Sequence, residues 1–343
     1  VTAFGYGDEA WKAAVCAQLD KVQHTSNLYY NEPCARLAKL LCEKTGMKKV
    51  FFSNSGAEAN ECAIKAARKY SAEKKGADCY TIVTLQNSFH GRTLTTLAAT
   101  GQDHFHELYQ PLTPGFVHVP ANDIQALKDC VAKVKVAGIL MEVVQGEGGV
   151  LPLTAEYLAA ANKLAHEQDI PLMMDEVQIG NGRSGKLYGY MNFDVQPDIV
   201  STAKGLGGGL PIGACLLGEK VQNVLGFGDH GSTYGGNPVC CAGGVSIIGR
   251  LTDDFLAEVQ KKSAYVFETL TGAPGIESVT GLGLMIGVKP VAPAAEVVKK
   301  CMERGVLCLT AKNKVRLLPA LNIPMEDLKF AVETIRTVAA ELA

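Results

Sequence analysis

The chain has 343 residues, 47% of them hydrophobic and 20% charged, enough apolar material for two domains or one large one around a substantial core. A net charge of −2, with no block of like charges, excludes nucleic acid and an acidic membrane surface as expected partners and leaves small molecules. No apolar run approaches the length of a membrane span, and VTAFGYGD (Val1–Asp8) has neither the basic flank nor the apolar stretch of a signal peptide.

In chain order, Trp11, Val15, Leu19 and Val22 recur at helical spacing over residues 8–23, and a second helix is predicted over 34–45 behind Pro33. From residue 50 short apolar strands alternate with helical or turn-rich segments: VFF (Val50–Phe52), YTIVTL (Tyr80–Leu85), GILMEVV (Gly138–Val144), IPLMMD (Ile170–Asp175), DIVST (Asp198–Thr202) and GACLL (Gly213–Leu217). EYLAAANKLAHE (Glu156–Glu167) is one of the intervening helices. Continuous apolar runs, as opposed to period-two alternation, imply strands covered on both faces, hence an α/β fold with a mainly parallel sheet. Beyond 245 the pattern changes to helix, short strands near 283–289, 306–309 and 314–318, and a closing helix from 326, which reads as a smaller α+β domain. The expected organisation is an N-terminal segment over 1–30, a large domain over 31–245 and a small C-terminal domain over 246–343.

The eleven cysteines are scattered and form no C-x-x-C pair, so they read as small buried hydrophobes in a reducing compartment. His104 and His106 lack further donors nearby in the sequence, and no metal site is expected.

In SNSGAEAN (Ser53–Asn60) the smallest residues stand where a strand hands over to a helix, whose small or apolar positions 59, 62, 63, 66, 67 and 70 follow helical spacing. Two readings compete. Ser55 and Glu58 make a capping box, or Gly56 and Ala57 leave first-turn amides bare for a phosphate at the positive end of the helix.

Ligands of open parallel sheets sit beyond the carboxyl ends of the strands, which places Ser55, Phe89, Asp175 and Lys204 on one rim. Asp175 ends an apolar segment, so its charge must meet a cation, either an arginine of the protein or a protonated heterocycle. Pyridoxal 5′-phosphate satisfies the second option and accounts for the rest of the rim: a lysine for a Schiff base, an acid for the pyridinium, a helix start for the phosphate. At about 4 Å and an effective dielectric of about 20, an Asp–pyridinium contact contributes on the order of 4 kcal/mol.

Six motifs in order then carry a family resemblance: FSNSGAEAN, SFHGRT, QGEGG, DEVQxGxGRxG, AKxLGGGxPIG and GSTxGGNP, beginning at Phe52, Ser88, Gln145, Asp175, Ala203 and Gly231. Together they resemble the class III aminotransferases of fold type I, which bind pyridoxal phosphate, and the stretch HTSNLYYNEP (His24–Pro33) is most similar to the acetylornithine branch of that family. The resemblance implies Lys204 as Schiff-base lysine and proton carrier, Asp175 at the ring nitrogen, Gln178 at the phenolic oxygen, and Val177 and Phe89 on the two ring faces. It further implies Ser55, Gly56 and Ala57 at the phosphate, with Ser232 and Thr233 completing the site of a second subunit in a homodimer. Arg92 is expected to hold the substrate's distal carboxylate. Arg316 is expected to be masked by Glu147 in one half-reaction and released to grip an α-carboxylate in the other. The implied substrates are N2-acetylornithine and 2-oxoglutarate, with ornithine, succinylornithine and 4-aminobutyrate as alternative amine donors.

Three departures from the family pattern are visible: Val143 follows Glu142 where the family usually has proline, Thr280 stands where it often has arginine, and the chain begins partway through the usual N-terminal segment. Arg183, inside the fourth motif, reads as a brace for its own glycine-rich loop. A start without Met and the many cysteines fit an organellar enzyme, in plastid stroma or mitochondrial matrix, after loss of a transit peptide, whereas a bacterial source would mean the cytoplasm. Outside the family, a dehydrogenase would have to use GLGGG (Gly205–Gly209) as its phosphate loop, but that stretch runs into Pro211 and not into a helix start. A non-catalytic relative would not need Lys204.

Overall fold

The computed structural model describes residues 2–343. Its strands are β1 (Lys49–Ser53), β2 (Thr81–Leu85), β3 (Phe116–Val119), β4 (Val136–Met141), β5 (Val144–Gln145), β6 (Leu151–Pro152), β7 (Leu172–Asp175), β8 (Ile199–Thr202) and β9 (Gly213–Leu217). Four more follow, β10 (Ile276–Leu282), β11 (Met285–Pro290), β12 (Leu309–Ala311) and β13 (Lys314–Leu317). The helices are α1 (Glu9–Leu19), α2 (Glu32–Thr45), α3 (Gly56–Lys75), α4 (Leu94–Ala99), α5 (Ile124–Lys133), α6 (Ala155–Glu167), α7 (Pro238–Arg250), α8 (Asp253–Leu270), α9 (Ala294–Glu303) and α10 (Met325–Glu341).

A seven-stranded sheet in the order β1-β9-β8-β7-β4-β2-β3 carries the site, and a four-stranded antiparallel sheet, β10-β11-β13-β12, lies beyond it in the chain. The large sheet buries both faces, and alternate residues of one strand enter different cores. Ile139 and Met141 of β4 join one apolar cluster while Leu140 joins the other, and β7 and β9 divide in the same way. Small side chains bring α3 close to the second face: a Cβ on Gly138 of β4 would stand 3.0 Å from Ala67 Cβ.

The mainly parallel sheet is present, with one exception that the apolar runs could not reveal. β9 is antiparallel to both neighbours, β1 and β8. Its entry, from Leu210 to Gly213, therefore lies at the rim where β1, β7 and β8 end, since Ser53 pairs with Gly213 and Thr202 with Ala214. The first predicted helix stops short: Asp20 caps α1, and Leu19 and Val22 are exposed. The strand predicted over 138–144 breaks at Glu142, separating β4 from β5, and the one near 306–309 lies later, at Leu309–Ala311. β3, β6 and β10 have no counterpart among the predicted strands.

Candidate active site

At the end of β1 the chain turns through Asn54 into α3. Ser55 is extended, with φ −154°, and its Oγ accepts the Glu58 amide at 3.2 Å. Glu58 reaches back one residue further than a capping box requires, accepting Asn54 N at 2.9 Å and Asn54 Nδ2 at 2.8 Å. The cap is thus satisfied, and Gly56 and Ala57, whose first-turn amides have no partner within the helix, line the same cavity as Ser55. A side chain at Gly56 would strike Val177, its Cβ falling 2.6 Å from Cγ1. Glycine there keeps the helix start and the Val177 wall close together.

Asp175 closes β7 and is 3% exposed. Asn60 Nδ2 and His90 Nδ1 each lie 2.8 Å from its Oδ2, and Val177 N donates to Oδ1 at 3.0 Å. Among the described residues no lysine or arginine pairs with it, and the protonatable group at its side is His90. Asn60 and His90 lie inside the first two of the six motifs, but their pairing with Asp175 exists only in the folded chain. His90 Nε2 and Asn60 Oδ1 are buried with no hydrogen-bond partner.

Lys204 follows β8 with φ +41°, a left-handed conformation that a lysine adopts only where its surroundings impose it. It lines a cavity of about 410 Å³ with Ser55, Gly56, Ala57, Phe89, Arg92, Glu142, Asp175, Val177 and Gln178. Burial pushes its pKa below the ordinary lysine value, against the opposing fields of Asp175, Glu142 and Glu147. Lys204 is also a wall of a second hollow of about 130 Å³, shared with Glu147, Gln178, Arg183 and Arg316.

In that second hollow Arg316 Nη1 donates to Glu147 Oε1 at 2.6 Å, through one nitrogen and not bidentately. Gln178 Nε2 donates to the same oxygen at 3.2 Å, and Gln178 Oε1 is buried without a partner. Burial alone would raise Glu147, but the Arg316 hydrogen bond and charge, with Gln178 and Lys204, outweigh it and hold the carboxyl below its usual range. Arg183 does brace, but across the fold: its Nη1 donates to Leu284 O at 3.0 Å and Pro319 O at 2.7 Å.

Arg92 is exposed and pairs with no carboxylate among the described residues; its guanidinium lies 5.4 Å from the Phe89 ring centre, at the mouth of the Lys204 cavity. Glu142 is at the site despite Val143, accepting Phe89 N at 2.9 Å and Gly146 N at 3.3 Å, and burial pushes its pKa up to about 7. Ser232 and Thr233 are the two expected residues that the single chain does not bring to Lys204. They line a separate hollow with Asn54, Glu58 and Tyr234, where Ser232 Oγ accepts Asn54 Nδ2 at 3.1 Å.

A helix start with free amides, an acid without a protein arginine or lysine, and a buried lysine on one cavity fit the donor set that pyridoxal 5′-phosphate requires. Comparison with known proteins agrees. The aminotransferase class-III family model matches residues 1–339. Acetylornithine aminotransferase of Haemophilus ducreyi is 52% identical over 344 residues, covering 100% of this chain and 88% of the relative. Among solved structures, N-acetylornithine aminotransferase from Stenotrophomonas maltophilia has a TM-score of 0.85 at 32% identity, over 99% of this chain and 88% of that one. The ornithine aminotransferase from Toxoplasma gondii, a structure with partial occupancy of PLP at its active site, has a TM-score of 0.93 at 30% identity, over 98% and 83%. Matched along nearly its whole length and sharing half its residues with one member, the chain belongs to the class-III aminotransferases.

Proposed function

We propose that the chain uses pyridoxal 5′-phosphate to move the terminal amino group of N2-acetylornithine to 2-oxoglutarate, giving N-acetylglutamate 5-semialdehyde and glutamate, a step of arginine biosynthesis. The 52% identity to an acetylornithine aminotransferase supports this substrate over ornithine. The higher TM-score of the ornithine enzyme does not oppose it, because backbone overlap is blind to the side chains that read the substrate. When bound, the cofactor supplies a carbonyl for the amine and a ring that draws electrons from the substrate carbon.

The observation that carries the proposal is that Lys204 stands between two hollows, with Asp175 in one and the Arg316–Glu147 pair in the other. Ser55, Gly56 and Ala57 would bind the phosphate, Val177 and Phe89 would flank the ring, and Asp175 and Gln178 would hold its nitrogen and phenolic oxygen. Lys204 Nζ, kept toward its neutral form by burial, takes and returns the proton at the substrate carbon. Arg92 holds the distal carboxylate, and Arg316 holds an α-carboxylate once Glu147 releases it. Steady-state assays with acetylornithine, ornithine and succinylornithine test the choice of substrate: kcat/KM highest for acetylornithine supports it, and preference for ornithine overturns it.

A homodimer belongs to the same proposal. Ser232 and Thr233 stand off the Lys204 cavity, and Asn27 Nδ2 donates to Ser232 O at 2.6 Å, which brings alongside them the segment whose next residues, Leu28, Tyr29 and Tyr30, are exposed, as is Tyr234; a second copy would cover these side chains while bringing Thr233 to its partner's phosphate. A fully active monomer in sedimentation at assay concentration would exclude it. Two domains also belong to it, supported by the two separate large sheets. Because α7 runs through residue 245 to Arg250, the junction is better drawn after α7 than at 245.

A further inference from the structure

Lys314 is a buried amine that the roles above leave unused. It lies on β13 two residues before Arg316, so the pleat turns both side chains to one face, toward the loop from Gly146 to Val150. Arg316 reaches the front of that loop, at Glu147 Oε1 and, at 3.5 Å, at Gly146 O. Lys314 reaches the back. Its Nζ donates to Thr280 Oγ1 at 2.7 Å and stands 3.5 Å from Val150 O, and Thr280 Oγ1 in turn donates to Val150 O at 2.8 Å.

The side chain is 7% exposed, and no carboxylate pairs with it among the described residues. A lysine is rarely buried without an anion, and here its donors are spent on a hydroxyl and a carbonyl. The carbonyl belongs to a residue that needs holding. Val150 is fully buried, branched at Cβ, and at φ +53°, a region such residues resist. β11 supplies glycine opposite: a Cβ on Gly287 would stand 2.8 Å from Val150 Cβ and 3.0 Å from Lys314 Cδ. The packing of three segments, β10, β11 and β13, thus converges on the end of the loop.

We propose that Lys314 and Thr280 are positioning residues that clamp the Val150 carbonyl, fix the loop carrying Glu147, and so set Glu147 over Arg316. The first part stands on the geometry alone, and the last clause rests on the reading of Glu147 and Arg316 as an exchangeable pair. Without the clamp, Glu147 covers Arg316 less of the time, and an uncovered arginine disfavours the substrate that brings no α-carboxylate to the reacting carbon.

Hydrogen exchange and half-reaction rates on the holoenzyme test this, with Lys314→Met and Thr280→Val to remove the clamp and Thr280→Ser to keep the hydroxyl. Removal should speed amide exchange over 146–150 by about fivefold or more with the rest of the chain unchanged, as expected for a locally released segment. The same variants should lower the acetylornithine half-reaction about threefold to tenfold relative to the glutamate one, while Thr280→Ser stays near wild type. Unchanged exchange in folded Lys314→Met overturns the clamp. Faster exchange with both half-reactions altered equally overturns its link to substrate choice, and Glu147→Gln shows which premise failed. A normal shift of the ratio in Glu147→Gln leaves the exchangeable pair standing and removes the clamp's part in it, whereas no shift there removes the pair itself.

Discussion

Two charged clusters flank Lys204, and they are built on opposite plans. Around Asp175 every contact is fixed: both oxygens are engaged, by Asn60 and His90 on Oδ2 and by the Val177 amide on Oδ1, and the paired side chains are 0% and 3% exposed. Glu147 is 39% exposed and takes its side-chain hydrogen bonds from Arg316 and Gln178 on Oε1 alone. A carboxylate held by several donors away from water keeps its charge and place. One held through a single oxygen at a wet edge can be exchanged for another carboxylate at little net cost, because the incoming group replaces the contact that is lost. The fixed cluster suits a permanent partner such as a cofactor, and the open one suits substrates that come and go.

The largest effect expected is on the residue between them. Lys204→Ala should fold and retain some cofactor while single-turnover and steady-state rates fall more than about a thousandfold, since covalent and acid–base assistance vanish together. Retention of more than about a thousandth of the wild-type kcat would remove Lys204 from its role. Next comes the fixed cluster. Asp175→Asn keeps the shape but removes the charge, and the substrate deprotonation rate should drop about a hundredfold or more, with a far smaller loss of cofactor affinity. Equal single-turnover rates in wild type and variant would sink that assignment.

Legibility in the sequence followed the same division. Asp175 and Lys204 could be placed because each ends an apolar strand, and Ser55 because small residues sit between a strand and a helix. The direction of β9 could not be read, because a strand buried on both faces has the same apolar run whether its neighbours are parallel or antiparallel. His90 and Asn60 were hidden because their partner, Asp175, is distant in sequence, and only folding brings the three together. Lys314 was hidden by its type: a lysine in a short strand reads as a solvated side chain, and nothing local signals that Thr280 and Val150 converge on it.

The open cluster yields the next effect. Glu147→Gln should favour the glutamate half-reaction and impair the acetylornithine one, Arg316→Ala should do the reverse, and each ratio should move about tenfold, the scale of one charge-assisted contact at a partly wet site. Pre-steady-state half-reactions in which both variants lose the two substrates equally would make the pair a structural tie.

The smallest effect compares the two clusters directly, through the amine they share. Burial lowers the Lys204 pKa, the Asp175, Glu142 and Glu147 carboxylates oppose that in descending order, and Arg316 adds slightly to the lowering. An anion stabilises the ammonium, so removing one must lower the pKa further, and removing a cation must raise it. In the cofactor-free protein, the pH dependence of Lys204 labelling by an amine-reactive probe should therefore move to lower pH in Asp175→Asn, move less in the same direction in Glu147→Gln, and move upward in Arg316→Ala. The order matters more than the sizes. The buried, water-excluded carboxylate should outrank the half-exposed one because solvent screens the latter. A larger shift in Glu147→Gln than in Asp175→Asn would mean that the open cluster sets the field at Lys204, and the division between a fixed and an exchangeable side would be drawn in the wrong place.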